Sequence, residues 1–200
     1  MAGQITSTFY TSNNILKTAK QLLGKILCTN INNKLTTGKI VEVEAYLGIN
    51  DKACHSYNNK RTKRTASMFE KGGIAYVYLC YGIHYLFNIV VGEKNNPCAV
   101  LIRAIEPIEG INLMLSRRNL DKPISQLTNG PGKLTKSLGI TDKMNKNILT
   151  ENIIWVEDRN IKIHKKDILS SPRIGVDYAG KDANLPYRFY IKNNRWISKI

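Results

Sequence analysis

The chain has 200 residues, 42% of them hydrophobic, and carries 30 Lys and Arg against 15 Asp and Glu, a formal net charge of +15. That length and apolar content predict one domain with a sizeable core, and the charge points to a polyanion, DNA or RNA before an anionic membrane; a background rich in Lys, Asn and Ile is the plain alternative. Cysteines stand singly at Cys28, Cys54, Cys80 and Cys98 and the histidines are scattered, which excludes a disulfide framework and argues against a zinc site, so we expect reduced thiols, no metal, no cofactor and a cytoplasmic location.

The start, MAGQITSTFY, has no basic stretch followed by an apolar one, so no signal peptide is expected. Ser12 or Asn13 is placed to cap a helix carrying Ile15, Leu16, Ala19, Leu22 and Leu23, with Gly24 as its stop. Residues 26–29 and 35–47 read as strands joined by a turn at Asn32 and Asn33. In the second, Val41, Val43, Ala45 and Leu47 alternate with Glu42, Glu44 and Tyr46, the period of a half-buried strand. Its polar face then presents two carboxylates and a phenol. Gly48 breaks the strand, and residues 51–55 return as a turn bringing His55 close. This is either an active-site rim or a surface strand with solvated glutamates.

Residues 57–64 form a basic loop with Lys60, Arg61, Lys63 and Arg64, suited to phosphates or simply solvated. Residues 75–91 read as a hairpin with Tyr76, Tyr78 and Cys80 on one face, His84, Leu86, Asn88 and Val90 on the return, and Tyr81-Gly82 at the tip. The run is too short for the roughly 20 residues of a membrane span. Tyr81 is a candidate wedge for a DNA stack, or an ordinary turn tyrosine. Asn88, in an apolar run, needs a hydrogen-bonding role or a pocket to line.

Residues 97–105 read as a central strand with Arg103 embedded, and a buried arginine needs a partner, Glu42 or Glu44. Pro107 is placed at the start of a helix with Ile111, Met114 and Leu115 that ends at Arg117-Arg118. NGPGKLTKSLGI (129–140) is a Gly-rich loop entering a short helix, with Lys133 suited to a phosphate but without Walker spacing. Residues 141–170 carry no clear pattern. Residues 172–178 and 187–191 read as closing strands, with Arg173 and Arg188 nearby.

The ordered set GKIVEVEAYLG, DKACHS, YVYLCYGIHYLFN, VLIRAIEPIEG, NGPGKL, PRIGVDYAG and PYRFYI strongly resembles the alkyladenine (3-methyladenine) DNA glycosylase family, the vertebrate-type repair enzymes also found in bacteria. The resemblance runs from the first helix to about Trp196 and is weakest over 141–170. It implies a compact α+β domain with a curved, mostly antiparallel sheet, flanking helices and a protruding tyrosine-bearing hairpin. By the same resemblance Glu44 activates the attacking water and Arg103 sits beside it. Tyr46, His55 and Tyr78 enclose a flipped base, Asn88 obstructs the guanine 2-amino group, and Tyr81 fills the gap in the duplex. Arg61, Arg64, Lys133 and Arg173 are expected at the DNA backbone. The implied partner is double-stranded DNA containing damaged purines, acted on by a monomer. No lysine stands where it would form a Schiff base, so base release without strand cleavage is expected. Ile83 follows the tip glycine where the family often has Met, and Lys63 stands where the basic loop usually has Pro. Outside the resemblance, a non-enzymatic basic nucleic-acid-binding domain and, on NGPGK alone, a metal-dependent phosphate-ester enzyme remain as alternatives.

Overall fold

Asn32 and Asn33 both adopt left-handed backbones (φ 52° and 57°), the pair of conformations a two-residue hairpin turn needs and asparagine tolerates. They join the first two long strands of a sheet that organises the molecule. The computed structural model describes residues 3–198. In chain order these form β1 (Gly3–Gln4), α1 (Ser7–Tyr10), α2 (Ile15–Leu22), β2 (Ile26–Ile31), β3 (Lys34–Tyr46), β4 (Ala75–Cys80), β5 (His84–Val91), β6 (Cys98–Glu109), α3 (Ile111–Arg118), α4 (Pro131–Leu138), β7 (Ile154–Asp158), β8 (Ile168–Ser171) and β9 (Arg188–Ile191). The strands make one open, antiparallel sheet in the order β1-β7-β2-β3-β6-β5-β4, with β9 pairing the end of β3 and β8 pairing β9. The α+β expectation holds.

Alternation along β3 decides the layering. Val41, Val43 and Ala45 point into the main core with Phe87, Ile89, Val91, Val100 and Ile102, where α2 and α4 pack. Asn14 caps α2, accepting from Lys17 N at 3.0 Å, while Ser12 braces Asn14; the cap therefore falls one or two residues later than Ser12 or Asn13. The opposite face of the sheet carries Glu42, Glu44, Tyr46, Tyr76, Asn88 and Arg103. The expectation of a half-buried β3 needs correction here, because Glu42 and Glu44 are both 0% exposed. Residues 51–69 and 172–184 fold across that face and form two small clusters of their own around Tyr76 and Tyr46.

Three further assignments change. Pro107 does not start a helix. It lies in β6 opposite Gly38, beside a register shift, where a residue without an N–H is tolerated. Residues 172–178 are not a strand; β8 ends at Ser171, and the chain turns through Gly175 (φ 74°) into 3-10 turns at Asp177–Asn184. Residues 141–170, unreadable in the sequence, supply β7, wedged between β1 and β2, and β8. Each is four or five residues long, too short for a period to show. Among the described residues no helix is long and apolar enough to cross a membrane.

Candidate active site

The cross-strand register brings residues 12 to 57 positions apart into one row. Glu44 on β3 faces Leu101 on β6, Leu101 faces Asn88 on β5, and Asn88 faces Tyr76 on β4. Beside this row Arg103 has no partner across the β3–β6 ladder, because the register shifts between Glu42 and Val43. Such bulges re-aim a side chain, and Arg103 lands between two carboxylates. Its Nε is 3.1 Å from Glu42 Oε1 and its Nη1 3.2 Å from Glu44 Oε1. Burial alone would discourage its charge, but Glu44 and Glu42 outweigh burial and raise its pKa, so it stays a guanidinium.

The two glutamates are not equivalent. Glu42 is saturated: besides Arg103 it accepts from the Ser198 hydroxyl (2.8 Å) and the Ser198 N–H, and Arg188 Nε stands 3.3 Å away. Glu44 Oε1 accepts from Ile174 N–H at 2.8 Å, and among the described residues Oε2 holds only the Tyr46 hydroxyl at 2.7 Å. Tyr46, Arg103 and Ile174 all line a cleft of about 700 Å³, so the groups that hold Glu44 are those a ligand would meet. Burial first, then the Glu44 charge, pushes the Tyr46 phenol well up, keeping it a donor.

Aromatic rings form the cleft wall. Tyr76 and Tyr78 lie 5.3 Å apart, and His55 meets Tyr78 edge-on at 4.7 Å. His55 Nδ1 lies 2.8 Å from the Tyr76 hydroxyl, and Arg64 Nη2 lies 3.3 Å from Nε2. Arg64 has only donors, so Nε2 must accept and Nδ1–H donates to Tyr76. Asn88, 4% exposed, donates its amide to Tyr76 O at 3.2 Å and lines the cleft. The expected cluster of Glu44, Arg103, Tyr46, His55, Tyr78 and Asn88 is thus assembled at one place. Tyr81 stands at the hairpin tip, 89% exposed, with Ile83 at 72%.

The expected backbone contacts divide. Lys133 lines the cleft with Nζ held by Asn129 at 2.9 Å. Arg61 is exposed away from it, over the Phe69 ring at 3.8 Å. Arg64 folds inward, 4.4 Å over Tyr78. Arg173 does not reach the surface at all. Its side chain is 0% exposed and forks onto Asp51, so the expectation of a phosphate contact there is corrected. Sequence reasoning left out the Ile174 N–H, which no side-chain pattern reveals, and Asp51, which sits inside DKACHS without a role.

Burial, then the charges of Arg64 and Lys60, lowers the His55 pKa from 6.5 to about 4. The unfolded chain therefore binds a proton that the folded one refuses. Stability supplied by neutral His55 is complete above pH 6.5 and is lost as pH falls toward 4. The two-and-a-half-unit difference sets an upper value of about 3 kcal/mol. We expect urea midpoints of the wild type to fall more steeply between pH 6.5 and 4 than those of His55→Asn. Parallel curves would show that His55 titrates as it does in the unfolded chain.

The chain matches the family model described as methylpurine-DNA glycosylase over residues 8–195. It is 46% identical over 188 residues to a protein of Chlamydia felis, covering 94% of this chain and 95% of that one. It is 47% identical over 184 residues to one of Borrelia garinii (90% and 92%), and 44% identical over 193 residues to one of Clostridium botulinum (92% and 94%). Each carries the name "Putative 3-methyladenine DNA glycosylase". With the family model spanning nearly the whole fold and the cleft, the chain belongs to the methylpurine-DNA glycosylase family.

Proposed function

We propose that this protein is a monofunctional glycosylase that takes a methylated purine nucleotide, flipped out of duplex DNA, into the cleft and hydrolyses its N-glycosidic bond. The observation that carries this reading is the asymmetry of the paired glutamates. Glu42 is spent on structure, whereas Glu44 keeps an oxygen that, among the described residues, it shares only with Tyr46 beside the cleft.

A base in a duplex hides its C1′–N bond, so the nucleotide must leave the stack. Lys133 and Arg118 among the cleft-lining residues give positive charge that suits the phosphates on either side, and Tyr81 at the protruding tip fills the space the base vacates. In the cleft an alkylated, cationic purine stacks on electron-rich tyrosines, a contact worth about 0.5–1 kcal/mol when exposed and more when desolvated. His55 carries no charge at neutral pH and so does not repel such a base. Arg64 does, and it leaves the Tyr78 face as the base enters. Asn88, anchored on Tyr76 O, is the obstruction to a guanine 2-amino group.

As the C1′–N bond breaks, its electron pair stays with the purine, which leaves neutral without a catalytic acid. The sugar gains oxocarbenium character. Water adds its oxygen to C1′ and passes a proton to Glu44, whose negative charge also stabilises the developing cation. The backbone stays intact at the resulting abasic site.

The test is release of free purines from methylated duplex DNA in the presence of a chelator, with the purines separated and identified. We expect methylated adenine, with strands uncut until alkali treatment. Salt-sensitive binding without release would leave a nucleic-acid-binding domain, and release abolished by the chelator would refute the metal-free route.

A further inference from the structure

We propose that the buried Asp51–Arg173 pair is the positioning device of this reaction: it fastens the loop that feeds Ile174 N–H to Glu44, and the turn that carries His55, onto the strand end that carries Tyr46. The proposal rests on the functional reading above and adds two residues that do not touch the substrate.

Four segments converge on the pair. Arg173 Nη1 donates to Asp51 Oδ2 at 2.5 Å and to Ala45 O at 3.0 Å; Nη2 donates to Asp51 Oδ1 at 2.9 Å and to Asp182 O at 3.1 Å. Asp51 in turn accepts from Leu47 N and Ala53 N, both at 3.0 Å. One guanidinium thus ties the end of β3, the 51–55 turn, the 172–176 loop and the 3-10 turns at Asp177–Asn184. Burial disfavours the Arg173 charge, and the Asp51 hydrogen bonds and charge overcome it and raise its pKa. The guanidinium also lies 4.9 Å from the Tyr46 ring centroid, fixing the ring whose hydroxyl holds Glu44.

The consequence follows residue by residue. Ile174 is the next residue after Arg173, and its N–H reaches Glu44 Oε1 at 2.8 Å. Ile174, Gly175 and Val176 line one wall of the cleft; Ala53, Cys54 and His55 line another. The ion pair joins both walls to the end of β3, while hydrogen bonds from Lys52 N–H to Asp182 Oδ2 and from Tyr178 O–H to Ala53 O link the 51–55 turn to the 177–184 turns directly. Stability by itself is a weak reason for a buried ion pair. Replacing a buried, paired ion pair by groups of like size without charge is often neutral for the fold, whereas a misplacement of about 1 Å at reacting groups costs on the order of 10²-fold in rate.

The experiment compares wild type with Asp51→Asn/Arg173→Met, which removes both charges together and leaves one acceptor at residue 51 for the backbone. The wild-type protein is tested first for methylpurine release. Its failure there would strike the functional reading and this proposal with it, before any variant is made. Single-turnover excision is then read at saturating enzyme, where the rate constant does not depend on the fraction of molecules folded. Melting temperature and lesion-DNA affinity are measured alongside. We expect a rate constant about 10²-fold lower, with affinity within a few-fold of wild type and a cooperative melt retained. A wild-type rate constant, or lost melting stability with the rate constant unchanged, assigns the pair to structure alone and overturns the proposal. Should the double variant not fold, Arg173→Lys keeps the charge but loses the fork. Its rate constant falls by roughly tenfold if the fork positions the walls, and a wild-type value overturns the proposal equally.

Discussion

Replacing Glu44 by Gln lowers single-turnover base release by roughly 10³-fold, within the 10²–10⁴-fold range of a lost proton-transfer group, while lesion-DNA binding survives. The geometry supports both halves of that expectation. Gln keeps the length and shape of the side chain, and its carbonyl oxygen still accepts from Ile174 N–H, now 2.8 Å from Oε1. Its amide faces the Tyr46 hydroxyl, which turns from donor to acceptor. Binding is retained because the cleft is lined by the partners of Glu44, namely Tyr46, Arg103 and Ile174. Under the proposed mechanism, what disappears is the negative charge next to the sugar and a place for the proton from water. A factor of 10³ is about 4 kcal/mol of transition-state stabilisation. The parallel change Glu42→Gln separates the two carboxylates. Glu42 touches Arg103, Arg188 and Ser198 and has no part in the proposed chemistry, so its loss appears as reduced stability and a much smaller rate effect. Unchanged release in Glu44→Gln, or equal rate losses in the two variants, would remove Glu44 from its role.

The same two glutamates mark the limit of reading the sequence alone. Period-2 alternation placed them correctly on one face of β3 and left their environment open, solvated or at a site. Burial came from segments whose placement the sequence did not reveal: the 172–184 segment, read as a strand up to residue 178, crosses that face, and Ser198 caps Glu42. The pairing of Arg103 was legible because a charge in an apolar strand demands a partner. Its bulge was not, since a register shift depends on how two strands align and not on either sequence. Arg173 shows the opposite error. Charge composition assigned it to DNA, but an arginine 122 positions along the chain from Asp51 gives no local sign of that partner. The roles of Tyr46, His55, Tyr78, Asn88 and Tyr81 came through motif resemblance; the β3-β6-β5-β4 order brings Tyr46, Tyr78 and Asn88 together, the 51–55 turn brings in His55, and Tyr81 stands apart at the β4–β5 tip.

Arg103→Met carries the largest expected cost in stability. The side chain is of similar length, so little volume is lost, but the cation shared by two fully buried carboxylates is gone. Removing one partner of a buried ion pair typically costs about 3–5 kcal/mol because it strands the other charge. Here Glu42 retains Arg188 at 3.3 Å and two Ser198 donors, and Glu44 retains Ile174 N–H and Tyr46. The lower end, about 3 kcal/mol, is therefore the expectation. Charge and not packing is the cause, and a double-mutant cycle shows it: Glu42→Gln/Arg103→Met removes one of the stranded carboxylates and regains at least half of the loss, since residues sharing one network do not add. Urea unfolding at neutral pH reads all four proteins. Stability within about 0.5 kcal/mol of wild type for Arg103→Met, the range of an ordinary surface substitution, would refute the network. So would strict additivity in the cycle. Activity moves independently of the double variant's recovery. Arg103 Nη1 lies 3.2 Å from Glu44 Oε1 and lines the cleft, so base release stays depressed by about 10²-fold even where Glu42→Gln restores the fold.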